Sequence, residues 1–291
     1  MTGSINRPPQ MLEALTHHPP GRPRRPGPRG LQRKTLASWL FLLLGIAYFA
    51  LPLVGTLIFS LRAKPMLSAW TDMINDPQVW STLGYSFAIG VVTITVSIVL
   101  LVPTAFWVRL RLPRLRPVVE FVTLLPFVVP PIVLVFGLIT TFSQPPLPLT
   151  GTNFGSDVLL VCAYVILSLP YMYRAVAAGL RTIDIQTLTE ACQSLGAGWA
   201  TILWRVILPN LRVSILSGAF LTLAIVVGEF TIANFLARPM FATYLQQISG
   251  NLAYQPAAVA LMSFGITWGA MGVIALVGRG NQGRIEIGGA H

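Results

Sequence analysis

Few residues in this 291-residue chain carry the chemistry of a reactive site, and their spacing excludes more than it offers. His17 and His18 sit in a Pro/Arg-rich stretch, His291 is terminal, and Cys162 and Cys192 lie far apart, so nothing has metal-ligand spacing. The two cysteines imply no disulfide framework. No phosphate-binding P-loop occurs, so no cofactor is expected and ATP should not bind to this chain. Two carboxylates remain. Glu190 lies in the one long polar interruption of the apolar second half, Thr187 to Pro209, TLTEACQSLGAGWATILWRVILP. Glu229 is the single acid of an apolar run further on.

Thr187 and Glu190 have capping-box spacing, in which each side chain satisfies the other residue's backbone amide, and this predicts a helix starting at Leu188. The helix presents small residues at Ala191 and Cys192, which allow close approach of another backbone. Gly196 and Gly198 should end it, because glycine takes the left-handed conformation readily. A second run, Trp199 to Leu208, stops at Pro209. The expected product is a helix–turn–helix knuckle with a charge at Glu190. For Glu229 two readings stand side by side: an acid lining a pathway through the membrane, or a carboxylate bonded to neighbouring helices at the end of its span.

The elements that must carry these residues follow from composition. Hydrophobic residues make up 54% of the chain, charged residues only 10%, and the mean hydropathy is +0.70. Soluble domains carry about 25% charged residues. The chain is therefore expected to be an all-α, polytopic membrane protein. Its net charge of +11 would suggest nucleic acid on a soluble surface; in a membrane protein the placement of the charges matters more, and no nucleic-acid partner is expected. Residues 1–35, with Arg22, Arg24, Arg25, Arg29, Arg33 and Lys34, are too poor in apolar content to fold. They read as a disordered basic tail that orients the chain, or alternatively as an arm for lipid headgroups. The following apolar run is too long for a signal peptide's core.

Six apolar runs, each close to the roughly 20 residues that span a bilayer, fill the domain 36–278: about 36–61, 83–107, 118–142, 158–173 (extendable to 180), 211–236 and 257–277. Pro126, Pro130 and Pro131 should kink the third, either to line the interior or as plain packing kinks. A short interfacial helix is expected near 244–251, and residues 279–291 form a short tail. With the N-terminus in the cytoplasm, only Arg62, Lys64 and Arg238 of the 20 basic residues fall outside. That asymmetry predicts both termini and the 187–209 knuckle on the cytoplasmic side.

Glu190, Ala191 and Cys192, then Gly196, Val206, Leu208 and Pro209, resemble the "EAA" loop of binding-protein-dependent (type I) ABC importer permeases. That loop reads Glu-Ala-Ala, three residues, Gly, nine residues, Ile, any residue, Leu-Pro. Cys192 stands for its third small residue and Val206 for its Ile. The resemblance implies six transmembrane helices in a bacterial plasma membrane and a knuckle that couples to a dimeric ABC ATPase subunit, which alone binds ATP. It also implies a second permease subunit (as a heterodimer) and an extracytoplasmic substrate-binding protein. The Pro126/Pro130/Pro131 kink and GEFTIANFL, Gly228 to Leu236, are most similar to the spermidine/putrescine branch. A polyamine is then the expected solute, with Glu229, Pro126 and Pro130 on its pathway. Phosphonate, ferric-iron and molybdate importers share much of the pattern. A secondary transporter driven by an ion gradient is the alternative class, but its internal repeats are not evident. In neither class is the chain itself an enzyme.

Overall fold

Proline or a capping side chain opens most of the long helices, where the first backbone N–H groups lack partners. The computed structural model describes residues 28–279, with side chains from 38 to 272. Among them every regular element is helical. α1 (Pro28–Ser60) begins at a proline, upstream of the expected start at 36, because Leu31 to Lys34 suit a helix as well as the apolar run does. The rest of the expected basic tail, 1–27, lies outside the described residues, as do 280–291 of the expected C-terminal tail. The chain divides into two units at Leu53/Val54. α1 up to Leu53 belongs to the first, and all the later elements belong to the second.

α2 (Ser68–Ile74) is a short helix in the connection after α1. α3 (Pro77–Leu110) starts with Pro77, behind Asp76, whose carboxylate accepts the Gln78 N–H at 2.8 Å. α4 (Arg116–Val128) and α5 (Pro131–Phe142) divide the expected third span. They meet at 97°. Pro126 is accommodated inside α4; the break falls at Val129–Pro130, because the two adjacent prolines force the residues before them into extended backbone. α6 (Asn153–Arg181) starts one turn before the expected span, since the Thr152 hydroxyl accepts the Gly155 N–H at 3.0 Å.

α7 (Ile185–Ser194), α8 (Trp199–Thr201), a π-helical segment (Ile202–Ile207) and α9 (Leu208–Asn210) make up the polar interruption. α10 (Arg212–Gly228) replaces the expected fifth span, stopping short of 236. α11 (Thr231–Phe235) and α12 (Phe241–Ser249) are short, the latter close to the expected interfacial helix, and α13 (Gln255–Arg279) comes last. Ser38–Ser60, Pro77–Leu110 and Asn153–Arg181 are each long and apolar enough to cross a membrane, and two bent pairs, around 129–130 and 211, pass the same test together.

α3, α6 and α10 pack on one another as the centre of the bundle. Small residues bring them close: a Cβ at Gly218 of α10 would lie 2.7 Å from Met172 Sδ on α6. The Ser97 and Ser168 hydroxyls, 3.2 Å apart, satisfy each other between α3 and α6. Three buried layers lie along this bundle. One holds Ile89, Leu160, Tyr164 and Ile232, and a second Val79, Leu83, Leu223 and Val259. The third, of Phe106, Met172, Ile202 and Ile207, seats the polar interruption.

Candidate functional site

The knuckle at 185–210 is built by local hydrogen bonds around one glycine. Its cap is not the expected one. Asp184, not Thr187, caps α7: its carboxylate accepts the Thr187 hydroxyl at 2.7 Å and the Thr187 N–H at 3.2 Å. These two bonds hold the Asp184 carboxyl below its ordinary range, the hydroxyl contributing most. The helix starts three residues early because Ile185 is buried in the layer below, which draws the chain into helix sooner. Glu190 is therefore an interior, exposed residue of α7. It accepts from the Gln186 side-chain amide at 3.0 Å and leaves its charge at the surface.

At the other end Gly196 has φ +78°, the left-handed geometry expected of it. The Gly196 N–H donates to Gln193 O and the Ala197 N–H to Cys192 O, both at 2.9 Å. This pair of bonds is the Schellman closure, which satisfies carbonyls that the helix end would strand. Gly198 takes ordinary extended backbone, φ −75°, and serves as the N-cap of α8. Ala191, Gln193, Ser194, Leu195 and Gly196 are all exposed, Leu195 to 88%, while Cys192 is half-buried. A Cβ at Gly196 would meet nothing within 4 Å. The tip is thus a small-residue surface with a bare leucine and a carboxylate beside it.

The opposite side is firmly seated. Ile202, Leu203, Ile207 and Leu211 are buried against Leu101, Val102 and Phe106 of α3 and Met172, Val176 and Leu180 of α6. Arg111 lies 4.6 Å over Trp199 and 5.3 Å from Trp107, whose rings are 4.9 Å apart, so a cation–π clip ties α8 to the end of α3. Pro209 has no N–H to offer, and the backbone adapts around it. The Leu208 N–H reaches back five residues to Leu203 O, and the Asn210 side chain donates to Val206 O at 2.8 Å. The 199–210 segment then meets α10 at 76°.

The three residues expected on a pathway belong to different elements. Pro126 lies inside α4, and Pro130 sits at the break between α4 and α5. Glu229 ends α10, and its two carboxylate oxygens accept the Thr231 N–H at 2.8 Å and the Ile232 N–H at 2.9 Å, so it caps α11. The Tyr164 hydroxyl also reaches Glu229, at 3.4 Å.

The sequence reading missed a second polar cluster. Arg238 pairs with Asp157 at 2.6 Å, donates to the Tyr85 hydroxyl at 3.0 Å and to Asn153 Oδ1 at 2.9 Å, and Tyr85 donates to Asp157. It links α3, α6 and the connection between α11 and α12. Arg238 was legible only as one of three basic residues outside, and Asp157 lies one position before the run expected at 158–173; their separation of 81 positions gave no signal of pairing.

Known proteins are similar to this chain over the stretch that holds the knuckle. The family described as "Binding-protein-dependent transport system inner membrane component" matches residues 101–280, which contain the knuckle. A probable molybdenum ABC transporter permease protein of Haloferax volcanii is 30% identical over 279 residues, 91% of this chain and 98% of that protein. The molybdenum transport system permease of Mycobacterium tuberculosis is 30% identical over 207 residues, 67% of this chain and 75% of its own length. The putrescine transport system permease of Escherichia coli K12 is 22% identical over 250 residues, 82% of this chain and 88% of its own.

Proposed function

We propose, because the chain belongs to the family of binding-protein-dependent transport system inner membrane components and is a permease subunit of an ABC importer, that its 185–210 knuckle docks the ATPase that drives it. The chain is a multi-pass protein of the bacterial or archaeal plasma membrane. One observation carries the docking role: the knuckle is seated on α3 and α6 by one side, while Ala191, Leu195 and Gly196 stand bare on the other. Leu195, exposed to 88%, stands beside the left-handed Gly196 at this tip. A second protein would bury it, and Glu190 would pair with a basic group there. On this reading ATP binds only to the partner, six spans place both termini and the knuckle in the cytoplasm, a second permease subunit completes the pore, and an external binding protein delivers the solute.

For the solute we favour a molybdate-like tetrahedral oxyanion over the polyamine that the sequence suggested. The relatives at 30% identity are named for molybdenum. A polyamine would look to Glu229 for its countercharge, and that carboxylate already accepts two backbone N–H groups. Kinship with the putrescine permease over 82% of the chain supports the polyamine as the second reading. The test is ATP hydrolysis by the assembled transporter, with its binding protein loaded in turn with molybdate, sulfate and putrescine. Stimulation by an oxyanion supports the first reading; stimulation by putrescine alone replaces it. Absence of any ATPase from a complex purified through this chain would overturn the docking role.

A further inference from the structure

We propose that the knuckle face of the bundle holds a binding site for a phosphate group, filled by the headgroup of an anionic phospholipid. The site is a cavity of about 400 Å³ between the end of α3, the start of α4, the end of α6 and the start of α7. That volume lies within the range of small-molecule sites, about 300–1,000 Å³. Arg109, Arg116 and Arg181 line it, each from the end of a different helix. A neighbouring depression shares Glu120 and Arg181 with it and adds Arg174.

The acids there do not neutralise these cations. Glu120 is held by Arg116 at 2.8 Å and approached by Arg181 at 3.9 Å. Asp184 is engaged in capping α7. Arg109 and Arg174, both exposed, make no ion pair among the described residues. Four guanidinium groups thus surround two carboxylates, and a guanidinium's planar fork of donors matches phosphate oxygens.

The surroundings select a lipid as the source. Beside the cavity α4 exposes Val118, Phe121 and Val122, and Leu115 just before it is exposed as well. A phospholipid would lay its acyl chains along that face while its headgroup enters the cavity. Basic pockets between transmembrane helices capture anionic headgroups in this way. Free inorganic phosphate has the same headgroup chemistry and would use the arginines but not α4.

The assembled transporter, reconstituted in phosphatidylcholine nanodiscs doped with phosphatidylglycerol or cardiolipin, tests this by native mass spectrometry of the lipid it retains. Wild type should retain the anionic lipid selectively. Arg109→Gln should weaken retention roughly fivefold, and Arg109→Gln/Arg116→Gln/Arg181→Gln on the order of 100-fold. Glu120→Gln should strengthen retention several-fold, roughly, an increase that misfolding cannot produce. Competition by millimolar inorganic phosphate would identify the free anion as the ligand and overturn the lipid source. Equal retention by wild type, Arg109→Gln and Glu120→Gln would overturn the site.

Discussion

Gly196 offers the sharpest separation of backbone strain from surface chemistry. Its φ is +78°, and an added Cβ would meet nothing within 4 Å. A side chain there therefore collides with no other part of this chain, and the intrinsic penalty is that of a left-handed L-residue, about 1–2 kcal/mol. If only the Schellman-closed knuckle docks, that penalty lowers the docking-competent fraction by at most about 5–30-fold. Gly196→Ala should weaken ATPase association within this range. Gly196→Asn, which tolerates the left-handed region better, should weaken it less. Gly196→Asp shares that tolerance but brings a charge that must be desolvated against the partner, so it should abolish docking while membrane insertion is retained. The assay is co-purification of the ATPase with each variant, alongside transport-coupled ATP hydrolysis. An order in which Ala is harmless and Asn is not would refute the strain argument. Normal association of Gly196→Asp would refute the docking surface itself.

Glu229→Gln should lower the melting temperature of the detergent-solubilised complex, by an amount equivalent to about 1–2 kcal/mol, because an amide replaces a charged acceptor of two backbone N–H groups; changed KM for a cationic solute, with stability intact, would instead assign Glu229 to the pathway. Arg238→Ala leaves Asp157 without its ion pair. Since Arg238 is only 10% and Asp157 30% exposed, a loss of about 2–3 kcal/mol in thermal stability is expected, and Arg238→Ala/Asp157→Asn should recover part of it. Asp184 has a depressed folded-state value, so its cap contributes fully above the ordinary carboxylate range and is lost only as pH falls through the lower, folded value. ATPase association should accordingly be flat from about pH 8 to 5 as far as this group decides it, and Asp184→Ala should lose association at every pH in that window.

The parts of this architecture legible in the sequence are those set by local rules. Three of the expected apolar runs lie in single helices long and apolar enough to cross a membrane and two more in bent pairs, among the described residues. Gly196 announces its turn, whereas Leu208-Pro209 does not stop the chain, since helical backbone runs on to Asn210. Where neighbours in space decide, the reading slipped. Both Asp184 and Thr187 can cap a helix, and the choice fell to Asp184 because Ile185, one residue on, is buried against α3 and α6. Pro126, Pro130 and Pro131 each signal a kink, yet only the adjacent pair breaks the chain, by 97°. Glu229 was visible as an acid in an apolar run, but its role as a cap required knowing that α10 ends at Gly228 and that a new helix begins three residues later, at Thr231. The Arg238–Asp157 pair joins distant positions, and no periodicity reports that.

The seating of the knuckle also bears on how a push from a docked ATPase would travel. A route from Leu195 through 199–210 into α10 alone would need the segment to slide free of its neighbours. Instead Ile202, Ile207 and Leu211 are wedged into the layer shared by α3 and α6, and the Arg111 clip fastens Trp199 to Trp107. The joint to α10 turns through 76°, with Asn210 and Arg212 bonded to carbonyls of the segment before it. Packed interiors resist compression and pass displacement on to whatever they touch. A load applied at Gly196 would therefore reach α3, α6 and α10 together, and these three helices already form the mutually packed centre of the bundle. On that route the body a docked ATPase would displace is this three-helix centre. Helical bonding is interrupted at Val129–Pro130, between α4 and α5, and at Glu229–Phe230, between α10 and α11.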